Sequence, residues 1–225
     1  MNIAYKGISQ FYTGTTSTLN FTNVPITLTK DDFVLSFVIS CSTGLTESIP
    51  YDWFLIDKIG NNSPSGTTFI FKHQPTGTTV NPTWQISGLS NNLNGGYIMV
   101  FSGCTKNTNK VINNHQSQGS AYSTLGGGSL SPSRNNTMLI SAIGAFGNTN
   151  VNLWYSTPSL TWNVAGQSGI TFGGFEMTLG VAYSNNVNAN SYNLQMSLND
   201  PAVNNSHNVA LAVKQTNVVI SISQN

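Results

Sequence analysis

Between Asp31 and Lys214 the chain states one series of elements twice. The first pass runs DDFVLSFVISC, PYDWFLIDKIGN, TTFIFKH, PTWQISGLSNN and GGYIMVFSGC; the second runs NNTMLISAIGAF, PSLTWNVAGQ, FEMTLGVAYSN, NSYNLQMSLND and HNVALAVKQ. Pro50 answers Pro158, Phe69 answers Met177 and Trp84 answers Tyr192, each 108 positions further on. A repeat of this length is one fold written as two halves, approximately 31–104 and 135–214. Each half reads as about four strands, too few to cover an apolar face unaided, so the expected architecture is a single all-β domain over 1–225. In it one eight-stranded antiparallel sandwich is shared by the halves, around one core.

The local patterns agree. β-branched and aromatic runs bounded by Gly, Asn, Pro and Ser clusters recur, and no stretch of ten or more residues keeps a helical period. Asn2–Tyr12 and Thr18–Thr29 read as a strand pair around the turn at Thr13–Thr16. Strands are expected at Phe33–Ser40, Trp53–Ile59, Thr67–His73, Thr83–Ser87 and Tyr97–Ser102, then at Met138–Phe146, Val151–Tyr155, Leu160–Val164, Phe175–Tyr183, Tyr192–Ser197 and Val209–Val213, with a closing strand at Val218–Ser223. The polar stretch between Thr105 and Gly119 reads as a loop at the seam, and Ala121–Leu130, with its glycine triplet, as a bridge. Asn-rich segments at Asn185–Asn190 and Asp200–Asn208 read as turns.

Charge is scarce: 7% of residues are Asp, Glu, Lys or Arg, and the net charge is +1. Such a surface repels its neighbours weakly and suits life inside an assembly. Charged gatekeepers are correspondingly few, which predicts short sheet edges or edges covered by a neighbour. The eight basic residues, Lys6, Lys30, Lys58, Lys72, Lys106, Lys110, Arg134 and Lys214, stand singly, so no phosphate-binding stripe exists and nucleic acid is not an expected partner. No apolar run reaches 18 residues, and the opening MNIAYK does not read as a signal peptide, so neither membrane insertion nor secretion by that route is expected. Four glycosylation sequons, at Asn20, Asn61, Asn135 and Asn204, are what an Asn-, Ser- and Thr-rich chain yields by chance. Cys41 and Cys104 end the first and last strands of the first half; a disulfide between them and a reading as two small apolar residues both stand open.

Catalytic and cofactor chemistry finds little to work with. His73, His115 and His207 lack a second ligand at metal spacing, so no metal or cofactor is expected. Of seven acids, Asp31 and Asp32 read as turn residues before a strand, Glu47 lies in a loop and Asp200 in an Asn-Asp-Pro turn. Asp52, Asp57 and Glu176 are what remains for a glycosidase pair, which needs two carboxylates facing across one bond. Single carboxylates on turns and strand faces explain them equally, and no catalytic residue is assigned. Trp53, Trp84, Trp154 and Trp162 offer either core or a sugar-stacking platform. Trp84 aligns with Tyr192 and Trp53 falls close to Trp162, which favours core; Trp154 is the one least committed.

With these motifs in view, the chain resembles jelly-roll or concanavalin-like β-sandwich proteins of tailed bacteriophage particles. The features that carry the likeness are FVLSFVIS after an acidic turn, PYDWFLID, TTFIFK, TWQISG and YIMVFSG, with their echo LISAIGAF, PSLTWNV, MTLGVAY, YNLQMS and VALAVK. The resemblance spans nearly the whole chain as pattern. It implies a jelly-roll-type sandwich and a non-enzymatic structural role on the virion surface, as capsid decoration, head fibre or tail component, assembled in the host cytoplasm. Implied partners are other virion proteins, further copies in a homo-oligomer (a homotrimer by this likeness) and a host cell-surface glycan. Unlike tail fibres, the chain shows no coiled-coil or anchoring segment before the sandwich, so attachment through the domain itself is expected.

Overall fold

A half-exposed strand alternates apolar and polar residues, but FVLSFVIS at Phe33–Ser40 and YIMVFS at Tyr97–Ser102 are apolar at nearly every position. The structure explains them: both strands are covered on both faces. The structure is a computed structural model that describes residues 3–9, 12–14, 17–21, 26–41, 48, 52–61, 66–73, 75–80, 84–89, 93–104, 112–118, 124–147, 150–172, 175–199 and 205–213. Among them lie eighteen strands and no helix, paired antiparallel throughout.

The first half holds β1 (Ala4–Ile8), β2 (Tyr12–Gly14), β3 (Thr18–Phe21), β4 (Thr27–Leu28), β5 (Asp32–Ser40), β6 (Trp53–Asn61), β7 (Gly66–His73), β8 (Thr79–Val80), β9 (Trp84–Ser87) and β10 (Asn94–Ser102). The second holds β11 (Ile112–Gln118), β12 (Thr124–Leu130), β13 (Thr137–Phe146), β14 (Val151–Thr157), β15 (Asn163–Phe172), β16 (Phe175–Val187), β17 (Tyr192–Leu198) and β18 (Asn205–Val213). The large sheet of the first half runs β1-β10-β5-β7-β6, with β2 also on β10, and that of the second runs β11-β18-β13-β16-β15. These are one order used twice. The small sheets match too: β3 pairs β9, which Ser48 joins at Ser87, and β12-β17-β14 repeats the arrangement.

Alternation then distributes the side chains between two cores. On β5, Phe33, Leu35, Phe37 and Ile39 enter a core shared with Met138, Ile140 and Ala142 of β13 and with Met177, Leu179 and Val181 of β16. The intervening Val34 and Val38 face Leu19, Phe21 and Ile86 of the first half's small sheet. In the second half Ile143 and Ala145 pack with Trp154 and Met196, and Leu139 with Leu130, Tyr192 and Leu194. The molecule is therefore layered small sheet, large sheet, large sheet, small sheet. Close approaches fix the central contact: a Cβ on Gly144 would run into Ile39 Cδ1, one on Gly95 would lie 2.8 Å from Leu179 Cδ1, and one on Gly166 2.9 Å from both Ile8 Cδ1 and Tyr97 Cε1. The Tyr5 and Tyr183 rings meet across it at 4.7 Å.

Several expectations need correcting. Four strands per half is too few, because each half builds two sheets of its own as well as sharing a core. The repeat also begins earlier than 31 and 135: β1 matches β11 and β3 matches β12. The seam loop contains β11 and the bridge contains β12, strands hidden by polar and glycine-rich sequences that sit at sheet edges. Tyr12–Gly14 is strand β2 and not wholly turn, and the strand expected from Leu160 starts at Asn163. The expected strand at Val218–Ser223 and the Pro50 match fall outside the described residues.

The constant spacing of 108 holds for Trp84 and Tyr192, which open the matching small-sheet strands β9 and β17, but fails in the large sheets. Shared-core residues are odd-numbered on β5 and even-numbered on β13, so an even spacing exchanges the faces. A strand apolar on both faces has no polar side to mark its register.

Edge strands carry a second regularity. β1 bulges between Tyr5 and Gly7, β6 between Leu55 and Asp57, β12 between Gly126 and Gly128, β14 between Val151 and Leu153, and β15 between Val164 and Gly166. The bulges of β6 and β15 lie 109 residues apart, as do Trp53 and Trp162.

Gly96 in β10 tests the packing. A Cβ there would come 2.7 Å from the Phe37 carbonyl oxygen, a backbone atom that cannot swing aside, whereas Gly77 has nothing within 4 Å. Gly96→Ala is expected to cost about 1–3 kcal/mol and Gly77→Ala to be neutral or slightly stabilising, read from urea midpoints at unchanged m-value.

Candidate functional site

Three strand ends of the first half converge on one rim. Trp53 opens β6 and pairs across the ladder with His73, the last residue of β7. Facing residues of an antiparallel pair hold their side chains side by side, and the two rings stack at 5.3 Å with an interplanar angle of 23°. Trp84, opening β9 of the small sheet, meets Trp53 edge-on at 5.4 Å and His73 at 5.8 Å. The cluster thus joins large and small sheets where the outer core ends. Trp53 is buried, while His73 and Trp84 keep partial exposure.

The histidine's proton is placed by its partner. Its Nδ1 lies 2.8 Å from the Asp52 carbonyl oxygen, which only accepts, so Nδ1 donates. Asp52 holds a left-handed backbone, φ 64°, that aims this carbonyl. The buried Trp53 Nε1 finds no hydrogen-bond partner among the described residues. The second half keeps Trp162 and Tyr192 but has no histidine on β15, β16 or β17. The aromatic pair thus belongs to the duplicated framework, and His73 is particular to the first half.

The other sequence candidates separate. Trp154, the aromatic least committed to the core, is 5% exposed and lies beneath Gly180, so it offers no platform. Trp162 is half-buried against the second half's outer core. Asp52, just before β6, and Asp57 on it stand five residues apart along the chain, about 17 Å at ~3.3 Å per residue, well beyond the ~5–9.5 Å of a glycosidase pair. Glu176 is on β16, opposite Thr171 in the other large sheet. The side chains of His115 and His207 are outside the described residues; among those described, no three His, Cys, Asp or Glu side chains gather.

Asp32 does close the expected turn: its N–H donates to Thr29 O at 3.0 Å and its Oδ2 accepts from the Thr29 N–H at 2.7 Å. The same oxygen also accepts from Lys6 Nζ at 2.6 Å, and Lys6 donates to Thr27 O at 2.9 Å. This ion pair, 1% exposed on the Asp side, ties β1 to the start of β5. Nothing in the sequence links two residues 26 positions apart.

Cys41 and Cys104 form no disulfide with each other, and topology keeps them apart. β5 and β10 are antiparallel, with Ser40 opposite Asn94 and Asp32 opposite Ser102, so their C-terminal ends lie at opposite ends of the sheet. That is about 30 Å along the strands, against a Cα separation under ~7 Å for a disulfide. Burial pushes the Cys41 thiol up to about 11; burial and then the negative charge of Asp32 push Cys104 up to about 12.

The sign of the pH dependence follows. Both thiols titrate later in the fold than in the unfolded chain, so their contribution is complete below about 9 and fades as pH climbs toward 11 and 12. At pH 9 native Cys104 therefore stays a thiol, the unreactive form. Iodoacetamide is expected to label both cysteines rapidly in urea and Cys104 hardly at all in buffer; equal rates would contradict the burial.

Scans against protein-family models and searches of curated proteins and of solved structures find nothing that matches this chain.

Proposed function

We propose that this chain is a non-enzymatic structural protein of a bacteriophage particle, displayed on the virion surface as a capsid decoration, head fibre or tail component. The observation that carries the reading is the nested strand order. Counting the eight main strands of either half in chain order, the first pairs with the eighth, the second with the seventh and the third with the sixth. In the first half Ser48 stands fourth, where the second half has β14. Nesting of this kind is that of a jelly roll, and supports one jelly roll in each half, joined back to back through the large sheets. A body so deeply packed and carrying 7% charged residues suits permanent neighbours better than turnover.

The partners that go with this role are other capsid or tail proteins and further copies of the chain, with assembly in the host cytoplasm. A second reading, contact with a host glycan, is favoured by the partly exposed Trp84 beside His73, a flat apolar face next to a polar ring.

Gold-labelled antibody against the chain, viewed on intact purified particles, is expected to decorate the particle surface at regular positions. Label confined to host cytosol and absent from particles would contradict the proposal. Under the glycan reading, Trp84→Ala abolishes glycan-array binding with near-UV circular dichroism otherwise retained; undiminished binding removes that reading.

A further inference from the structure

A chain with eight basic and seven acidic residues has few charges with which to guard its sheet edges. It guards them with geometry. Five of the six bulges among the described pairings, those on β1, β6, β12, β14 and β15, lie on strands at the ends of sheet orders, the sixth falling on β16 opposite Thr137 and Leu139 of β13, and a bulge at an edge twists it away from flat pairing. On β6, Asp57 and Lys58 follow the bulge directly. β14 has a further guard: with its amide oxygen turned toward the N–H, Gln167 of β15 accepts from Val151 N at 3.3 Å and donates to Val151 O at 3.0 Å. β2, β3, β4, β8 and β9 run only two to four residues.

β11 has none of these guards. Its seven residues pair with β18 from Ile112 opposite Ala212 to Gln118 opposite Ser206 without a register shift. It ends the second large sheet, and no other described strand pairs with it. Its sequence, INNHQSQ, contains no Asp, Glu, Lys, Arg or Pro. The matching strand of the first half, β1, is bulged and anchored through Lys6, so the flat edge is peculiar to the second half.

We infer that β11 is the docking edge for a second copy of this chain. The two β11 strands pair antiparallel about a two-fold axis, and the sheet β11-β18-β13-β16-β15 continues into its counterpart. Three observations select a copy as the occupant. The outer edge of β11 presents backbone N–H donors and C=O acceptors in the regular series of an unshifted strand, so an identical strand run antiparallel is complementary to it. Neither strand brings an Asp, Glu, Lys or Arg to oppose its equal, and a net charge of +1 leaves little repulsion between whole chains. One flat edge among the described strands closes a pair, where two would extend a filament. The result is pairwise assembly and not the threefold one implied by the phage resemblance, and it stands or falls independently of the virion reading.

Sedimentation equilibrium at micromolar concentration is the test, on the full chain. The wild type is expected to run at twice the chain mass. Asn114→Lys combined with Gln116→Lys is expected to run as a single chain with unchanged far-UV circular dichroism, and mixing it with Asn114→Glu, Gln116→Glu to restore the two-copy species. A readout without variants guards against misfolding: amide exchange of 112–118 in the wild type slows as concentration rises, while that of 167–172 on the bulged edge does not. A wild type that sediments as one or three chains overturns the inference. So does a pair indifferent to both lysines, or exchange in 112–118 that ignores concentration.

Discussion

Two sheets that are apolar on both faces cannot stand alone in water, and the rest of the molecule follows from how each is covered. Leu35, Ile39, Met99 and Phe101 are at most 1% exposed on one face of the first large sheet, and Val34, Val38, Ile98 and Val100 are fully buried on the other. Burial of each such side chain contributes about 1.5–3 kcal/mol relative to exposure, set against the conformational entropy lost on ordering it. The inner faces meet each other and the outer faces take the small sheets. Duplication supplies this economically, because the same large sheet serves as its own cover when used twice.

The same constraint governs the margins. Sheets buried on both faces still end in open edges, and a surface of Asn, Ser and Thr cannot guard them by charge. Bulges take over that task, and two of them, at Leu55/Asp57 and Val164/Gly166, sit at matching places in the two halves. The aromatic rim shows duplication followed by divergence: Trp53 and Trp84 have counterparts in Trp162 and Tyr192, and His73 was set between them in the first half alone.

How much of this can be read in the sequence depends on where a strand sits. The central strands β5, β10, β13 and β16 were legible to within a few residues because burial demands apolar runs. β11 and β12 were not, since an edge strand is specified by backbone pairing with β18 and β17 and leaves little apolar signature. The runs also held an unused clue: FVLSFVIS is too apolar for a strand with one wet face, and it implies more than two layers. Register slipped by one at Phe69 and Met177 for the same reason. The Lys6–Asp32 pair and the separation of Cys41 from Cys104 depend on strand direction, which no local pattern encodes. The rim cluster had one signal, the 109-residue spacing of Trp53 and Trp162, but nothing in it pointed to His73.

The shared core is the central claim, and hydrogen exchange read separately over the two halves tests it most directly. Leu35→Ala removes a side chain of the first half that is 0% exposed in that core, at an expected cost of about 2–5 kcal/mol. The account predicts that β13 and β16 lose protection together with β5 and β10. Loss confined to residues 4–102, with the second half exchanging as in the wild type, would contradict it.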